Sequence, residues 1–116
     1  MSVSIYYNPK CSKCRATLAL LQEKGFAPEV ILYLETAPTA AALAEVLKKL
    51  GKGPKEIIRF SDEVAKELGI SPNDERPDAE WLKLISGNPS LLVRPIVING
   101  ERAAIGRPPE NVLEIL

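Results

Sequence analysis

Two cysteines, Cys11 and Cys14, stand three residues apart in "YYNPKCSKCR", the stretch from Tyr6 to Arg15. The chain has no other cysteine and no histidine. Two thiols without an imidazole cannot close a four-ligand zinc site from one chain. A cysteine hydrolase is excluded too, since it would lack its base. Thiol redox chemistry remains, or a pair of inert core thiols. A lone cysteine is usually just a small apolar core residue. A Cys-x-x-Cys between a strand and a helix, with Lys10, Lys13 and Arg15 beside it, points instead to redox work.

The spacing divides the labour between the two thiols. Cys11 is expected at or just before the first turn of a helix, where unpaired backbone N–H groups and the positive dipole end favour a thiolate. A free thiol ionises near ~8.5, and such surroundings lower that to ~3.5–7.5. Cys11 is therefore the expected nucleophile. Cys14, one turn further in, faces the apolar stripe and is expected to be less exposed. From there it could attack a bond formed on Cys11. The same helix start can bind an oxyanion.

Among six arginines, Arg94 is the hardest to read as solvated surface charge. It lies in "SLLVRPIVI", and a buried guanidinium needs an anionic partner. Arg107 follows in "IGRPPE", and Arg59 is expected to close a short helix. A planar, permanently charged guanidinium suits a tetrahedral oxyanion.

These residues need a scaffold. "SVSIYY" reads as a strand, with Val3, Ile5 and Tyr7 on one face, and Asn8-Pro9 ends it. Residues 12–24 read as a helix with Cys14, Leu18 and Leu21 on one side and Gly25 as the stop. "PEVILYL" is a second strand, so the first third is a β-α-β unit with parallel strands. The middle is helical. Thr39 caps 40–50, Pro54 opens "PKEIIRF", Ser61 caps "DEVAKEL" and Asp78 caps "AEWLKLI", with Trp81 in the core. A polar loop spans 71–76. "PIVI" then begins a hairpin turning at Asn99-Gly100, "ERAAIG" returns, and Pro108-Pro109 opens a final helix. The reading is one α/β domain over 1–116, with a helical insertion at about 38–88 between the second and third strands.

Composition narrows the function classes. The 116 residues are 46% hydrophobic, enough to build a core without staples, and the formal net charge is zero. No basic run argues for direct nucleic-acid binding. No apolar run reaches the ~18 residues of a membrane helix. "MSVSIYYNPK" does not look like a signal peptide. The expected compartment is the cytoplasm, where thiols are kept reduced. No metal and no bound prosthetic group is called for.

"NPKCSKCR", "RPIVING" and "IGRPPE", in that order and spacing, resemble the ArsC-type arsenate reductases over essentially the whole chain. The resemblance implies a thioredoxin-like fold, βαβ…ββα with a helical insertion, and a cis Arg94–Pro95 bond beside the active cysteine. It implies reduction of arsenate, or a similar oxyanion, by Cys11. Arg59, Arg94 and Arg107 match the family's oxyanion-binding arginines, while Asn8 and Arg15 match positions in the cysteine loop. In the glutaredoxin-coupled family, glutathione supplies the second thiol as co-substrate and glutaredoxin clears the mixed disulfide. Many members carry serine at the place of Cys14. Here a resolving thiol is built in, which opens a route through thioredoxin or glutaredoxin. Spx-type regulators, which bind RNA polymerase, share the fold and the Cys-x-x-Cys, but Arg59 and Arg107 fit the reductases better. A general thiol-disulfide oxidoreductase is a third reading, and inert thiols with an ordinary pKa a fourth.

Overall fold

A computed structural model describes residues 3–116, so Ser2 of the expected first strand lies outside it. The chain divides into two compact units. One comprises the chain up to Thr36 together with Arg94–Leu116, and the other is Ala37–Val93.

The first unit is a mixed sheet with helices. Strand β1 (Val3–Tyr6) leads to helix α1 (Ser12–Glu23) and strand β2 (Glu29–Ile31). Strands β3 (Ile96–Asn99) and β4 (Arg102–Ile105) and a 3-10 segment (Pro109–Ile115) complete it. The strand order is β2-β1-β3-β4. β1 pairs in parallel with β2, as expected across a helical crossover. It pairs antiparallel with β3, Ile5 opposite Val97, and β3 pairs antiparallel with β4. Val3, Ile5, Leu21, Val97, Val112 and Ile115 form the core between the sheet, α1 and the 3-10 segment.

Several boundaries differ from the sequence reading. Tyr6 is buried beside Ile5, its ring meeting Tyr33 edge to face at 6.5 Å, while Tyr7, expected on the buried face, lies past the end of β1 and is only partly buried. β1 is a central strand, and strict alternation fails there. β2 stops at Ile31. Beyond it Glu35 and Thr36 N–H both donate to the Leu32 carbonyl, and the chain turns. The hairpin turn falls one residue later than expected, on Gly100 (φ +62°) and Glu101. Asn99 instead ends β3 opposite Arg102 and sends its side-chain N–H to the Ile115 carbonyl at 2.6 Å. The last helix is 3-10 throughout.

The second unit holds α2 (Ala40–Leu50), a 3-10 turn (Pro54–Ile57), α3 (Glu63–Leu68), α4 (Asp78–Gly87) and a 3-10 turn (Pro89–Leu91). Thr39 Oγ1 accepts from Ala42 N–H and Gly51 closes α2 at φ +69°, as the cap residues predict. The cap of α3 is Asp62 rather than Ser61, its carboxylate taking Val64 N–H at 2.9 Å. Asp78 is the first residue of α4, with Pro77 in the cap position. Arg59 does not close a helix. The helical turn ends at Ile57, and Ile58 bridges Leu92 as extended chain. Trp81 is buried against Phe60, with the Arg76 guanidinium over its ring at 5.0 Å. No helix among the described residues is long and apolar enough to cross a membrane.

Candidate active site

The cysteine loop is tied by its own residues. The Asn8 carbonyl accepts from Cys11 N–H at 2.9 Å, and Asn8 Oδ1 accepts from Lys10 N–H at 3.0 Å. Arg15 reaches back from α1 and donates to the Pro9 carbonyl at 2.7 Å. Asn8 and Arg15 thus brace the loop from either end. Cys11 falls at the N-cap of α1 with extended backbone, and its carbonyl accepts the first helical bond, from Arg15 N–H. A cap position normally carries a side-chain acceptor for the free N–H groups. Here the position carries a cysteine, whose side chain makes no capping hydrogen bond. Both thiols are free, and Cys14 is fully buried while Cys11 keeps 7% of its surface.

The electrostatics separate the two sulfurs. Burial alone would raise the Cys11 pKa. The Cys14 backbone N–H, the Arg94 guanidinium, the Cys14 thiol and the Lys13 N–H outweigh it and hold Cys11 at about 7. Cys14 goes the other way, pushed up to about 11. Burial is the largest cause, opposed by the Asn8 main-chain N–H and reinforced by the hydrogen bond to Cys11 and by its charge. At pH 7.4 about seven-tenths of Cys11 is thiolate, against under about a tenth for a free thiol. Cys11 is the sulfur poised to attack, and Cys14 is a protonated neighbour hydrogen-bonded to it.

Two arginines converge on that sulfur from the segments just before β3 and just after β4. Arg94 hydrogen-bonds to Cys11, while its Nε is buried and has no acceptor among the described residues. Arg107 Nη2 lies 3.8 Å from Cys11 Sγ, and Arg107 Nε donates to the Arg94 carbonyl at 2.6 Å. The arginines are therefore coupled to each other as well as to the thiolate. Arg94–Pro95 is cis, as the resemblance implies, and so is Arg107–Pro108, which the sequence reading did not anticipate. Arg59 belongs to the helical unit. Its guanidinium pairs with Asp62 at 3.1 Å, and its N–H donates to the Leu91 carbonyl at 2.7 Å.

Asn111 was missed by the sequence reading. It donates to the Arg107 carbonyl at 3.0 Å and steadies the loop that carries this arginine.

A nucleophilic thiolate under two guanidinium groups is equipped to take a small oxyanion. Comparison with known proteins agrees. Residues 6–115 match the ArsC family. The chain belongs to the ArsC family. It is 50% identical to an arsenate reductase of Haemophilus influenzae over the full length of both proteins. It is 47% identical to the uncharacterized protein YfgD of Escherichia coli strain K12, over 98% of this chain and 96% of that one. Among solved structures, an arsenate reductase from Vibrio cholerae superposes with a TM-score of 0.95 at 45% identity, covering 100% of this chain and 98% of that one. The thioredoxin-like α/β fold of this ArsC protein follows from that likeness together with its four-stranded sheet.

Proposed function

We propose that this ArsC protein is a thiol-dependent reductase of arsenate, with Cys11 as nucleophile and Arg94 and Arg107 as the groups that hold the oxyanion. The observation that carries this reading is the meeting of both guanidinium groups on one low-pKa sulfur. The full-length likeness to proteins named arsenate reductase supports arsenate as that oxyanion.

The chemistry balances with two thiols. The Cys11 thiolate attacks arsenic, an S–As bond forms, and one oxygen leaves as hydroxide or water. A second thiol then attacks the Cys11 sulfur. The S–As bond breaks, its electron pair stays on arsenic, and arsenite leaves as a disulfide forms. Fixed positive groups aimed at the charged oxygens lower the barrier to both steps. We assign the second thiol to Cys14, which is already hydrogen-bonded to Cys11. Once Cys11 is esterified its charge is gone, and the part of the Cys14 pKa rise that it caused goes with it. The resulting disulfide is returned to dithiol by glutaredoxin with glutathione, or by thioredoxin. A role for Arg59 in holding the oxyanion rests on the family resemblance alone.

Arsenate-dependent NADPH oxidation tests this, with glutathione/glutaredoxin and thioredoxin/thioredoxin reductase supplied separately. Cys11→Ser abolishes turnover with both. Cys14→Ser abolishes the thioredoxin-coupled rate and leaves only what glutathione resolves from outside. Wild-type protein that turns over arsenate with neither system would remove arsenate as the substrate.

A further inference from the structure

Gly106 sits between the functional segments and is buried. A Cβ built on it would lie 2.7 Å from Thr17 Oγ1, 2.8 Å from Pro95 Cγ and 3.2 Å from Thr17 Cγ2. Its φ is not positive, so the requirement for glycine is space and not backbone freedom. Neither neighbour yields easily. Pro95 is a ring, and Thr17 is fully buried with its hydroxyl donating to the Lys13 carbonyl at 2.7 Å, which fixes its rotamer. Thr17 shares the α1 face of Cys14 and Leu21, so its contact sets how close the segment after β4 comes to the helix that begins at Cys11.

The consequence reaches the thiolate through one residue. Gly106 N–H donates to the Pro95 carbonyl at 2.9 Å, extending the β3–β4 pairing past Ile96 and Ile105. The next residue is Arg107, with its Nε on the Arg94 carbonyl and its Nη2 at the Cys11 sulfur. We propose that Gly106 and Thr17 are positioning residues for Cys11: their contact, closer than any side chain at 106 would permit, seats the Arg107 guanidinium on the thiolate. This deepens the reductase reading and takes from it the role of Cys11, but it does not depend on arsenate.

One methyl group is the perturbation. Ordinary carbon contacts begin near ~3.5 Å, so Gly106→Ala must open this contact by several tenths of an ångström. That carries Arg107 outward from a distance already at 3.8 Å. The readout is the pH midpoint of Cys11 alkylation by iodoacetamide, with the site located by mass spectrometry and folding checked by circular dichroism. Gly106→Ala is expected to raise the midpoint by about 0.5 pH and slow alkylation at pH 7 by about twofold to threefold. Two controls make the effect specific. In an Arg107→Ala background the effect of Gly106→Ala shrinks by at least half, because the positioned group is gone. Thr17→Ala, which vacates the space, restores at least half of the lost reactivity in the Gly106→Ala protein. Should Gly106→Ala fail to fold, Thr17→Val presses on the same spot from the helix side with a methyl in place of Oγ1, and it is expected to shift the midpoint in the same direction.

A midpoint unmoved in folded Gly106→Ala, or in Thr17→Val if that must stand in, overturns the proposal. So does an effect that persists undiminished without Arg107. Arsenate turnover by wild type is measured in parallel. A moved midpoint without any wild-type turnover would refute the reductase reading and leave the positioning contact standing. Turnover with an unmoved midpoint would do the reverse.

Discussion

Removing the Arg107 side chain isolates the contribution of a guanidinium that lies 3.8 Å from the nucleophile. In Arg107→Ala the sulfur loses a positive group at 3.8 Å, and the Arg94 carbonyl loses its 2.6 Å donor. Two unit charges at that separation interact by about 1 kcal/mol in bulk water and about 4 kcal/mol at an effective dielectric of 20. Arg107 is exposed, so the screened end of that range applies. A loss of about 1–2 kcal/mol of thiolate stabilisation corresponds to about 1 pH. The Cys11 midpoint should therefore rise from about 7 to about 8. At pH 7 the thiolate fraction then falls from about half to about a tenth. Absorbance at 240 nm follows the thiolate directly, and iodoacetamide alkylation gives an independent profile. Arg107→Lys should fall between the two, since a compact ammonium keeps the charge but cannot serve the Arg94 carbonyl and the sulfur together. A midpoint that stays near 7 in folded Arg107→Ala would refute the reasoning. It would mean that the N–H groups at the start of α1 and Arg94 set the thiolate alone.

Three further outcomes are expected. Stability should peak near pH 8.5: a depressed Cys11 stabilises the fold above the unfolded thiol's pKa of ~8.5, and this is lost as pH falls through about 7, at a cost of about 2 kcal/mol. The raised Cys14 acts in the opposite sense, since between ~8.5 and about 11 only the unfolded chain gives up that proton. In urea titrations under reductant, Cys11→Ser should remove the rising limb and Cys14→Ser the falling one, whereas identical profiles in all three proteins would dismiss the assignment. Asn99→Ala leaves the Ile115 carbonyl without its buried 2.6 Å donor and should lower stability by about 1–3 kcal/mol, read by thermal melting. On the family resemblance alone, Arg59→Ala is expected to raise the KM for arsenate while leaving the Cys11 alkylation midpoint unchanged, and an unchanged KM would set that expectation aside.

What could be read from the residues was whatever local chemistry decides. Thr39 and Gly51 bracket α2, and Gly25 follows α1, because capping and left-handed turns depend on one or two residues. Cys11 at the start of a helix was legible for the same reason, and its low pKa followed from the free N–H groups there. Competition between neighbours was not legible. Ser61 and Asp62 are both good caps, and the carboxylate won. Asn99-Gly100 is a strong turn pair, yet Asn99 stayed in β3 because its side chain had a buried carbonyl to satisfy sixteen residues away.

The site divides along the same line. Its reactive half is written within a few residues, from Asn8 to Arg15, where each group braces or polarises a neighbour on the same loop or turn. Its charged half depends on contacts spanning most of the chain, such as Arg107 to Cys11 and Gly106 to Thr17. No periodicity or propensity encodes those. A lone glycine before Arg107 looks like punctuation until the helix behind it is in place. Its meaning is then steric: the absence of one methyl group lets a distant arginine reach a sulfur that the local sequence had already prepared to be negative.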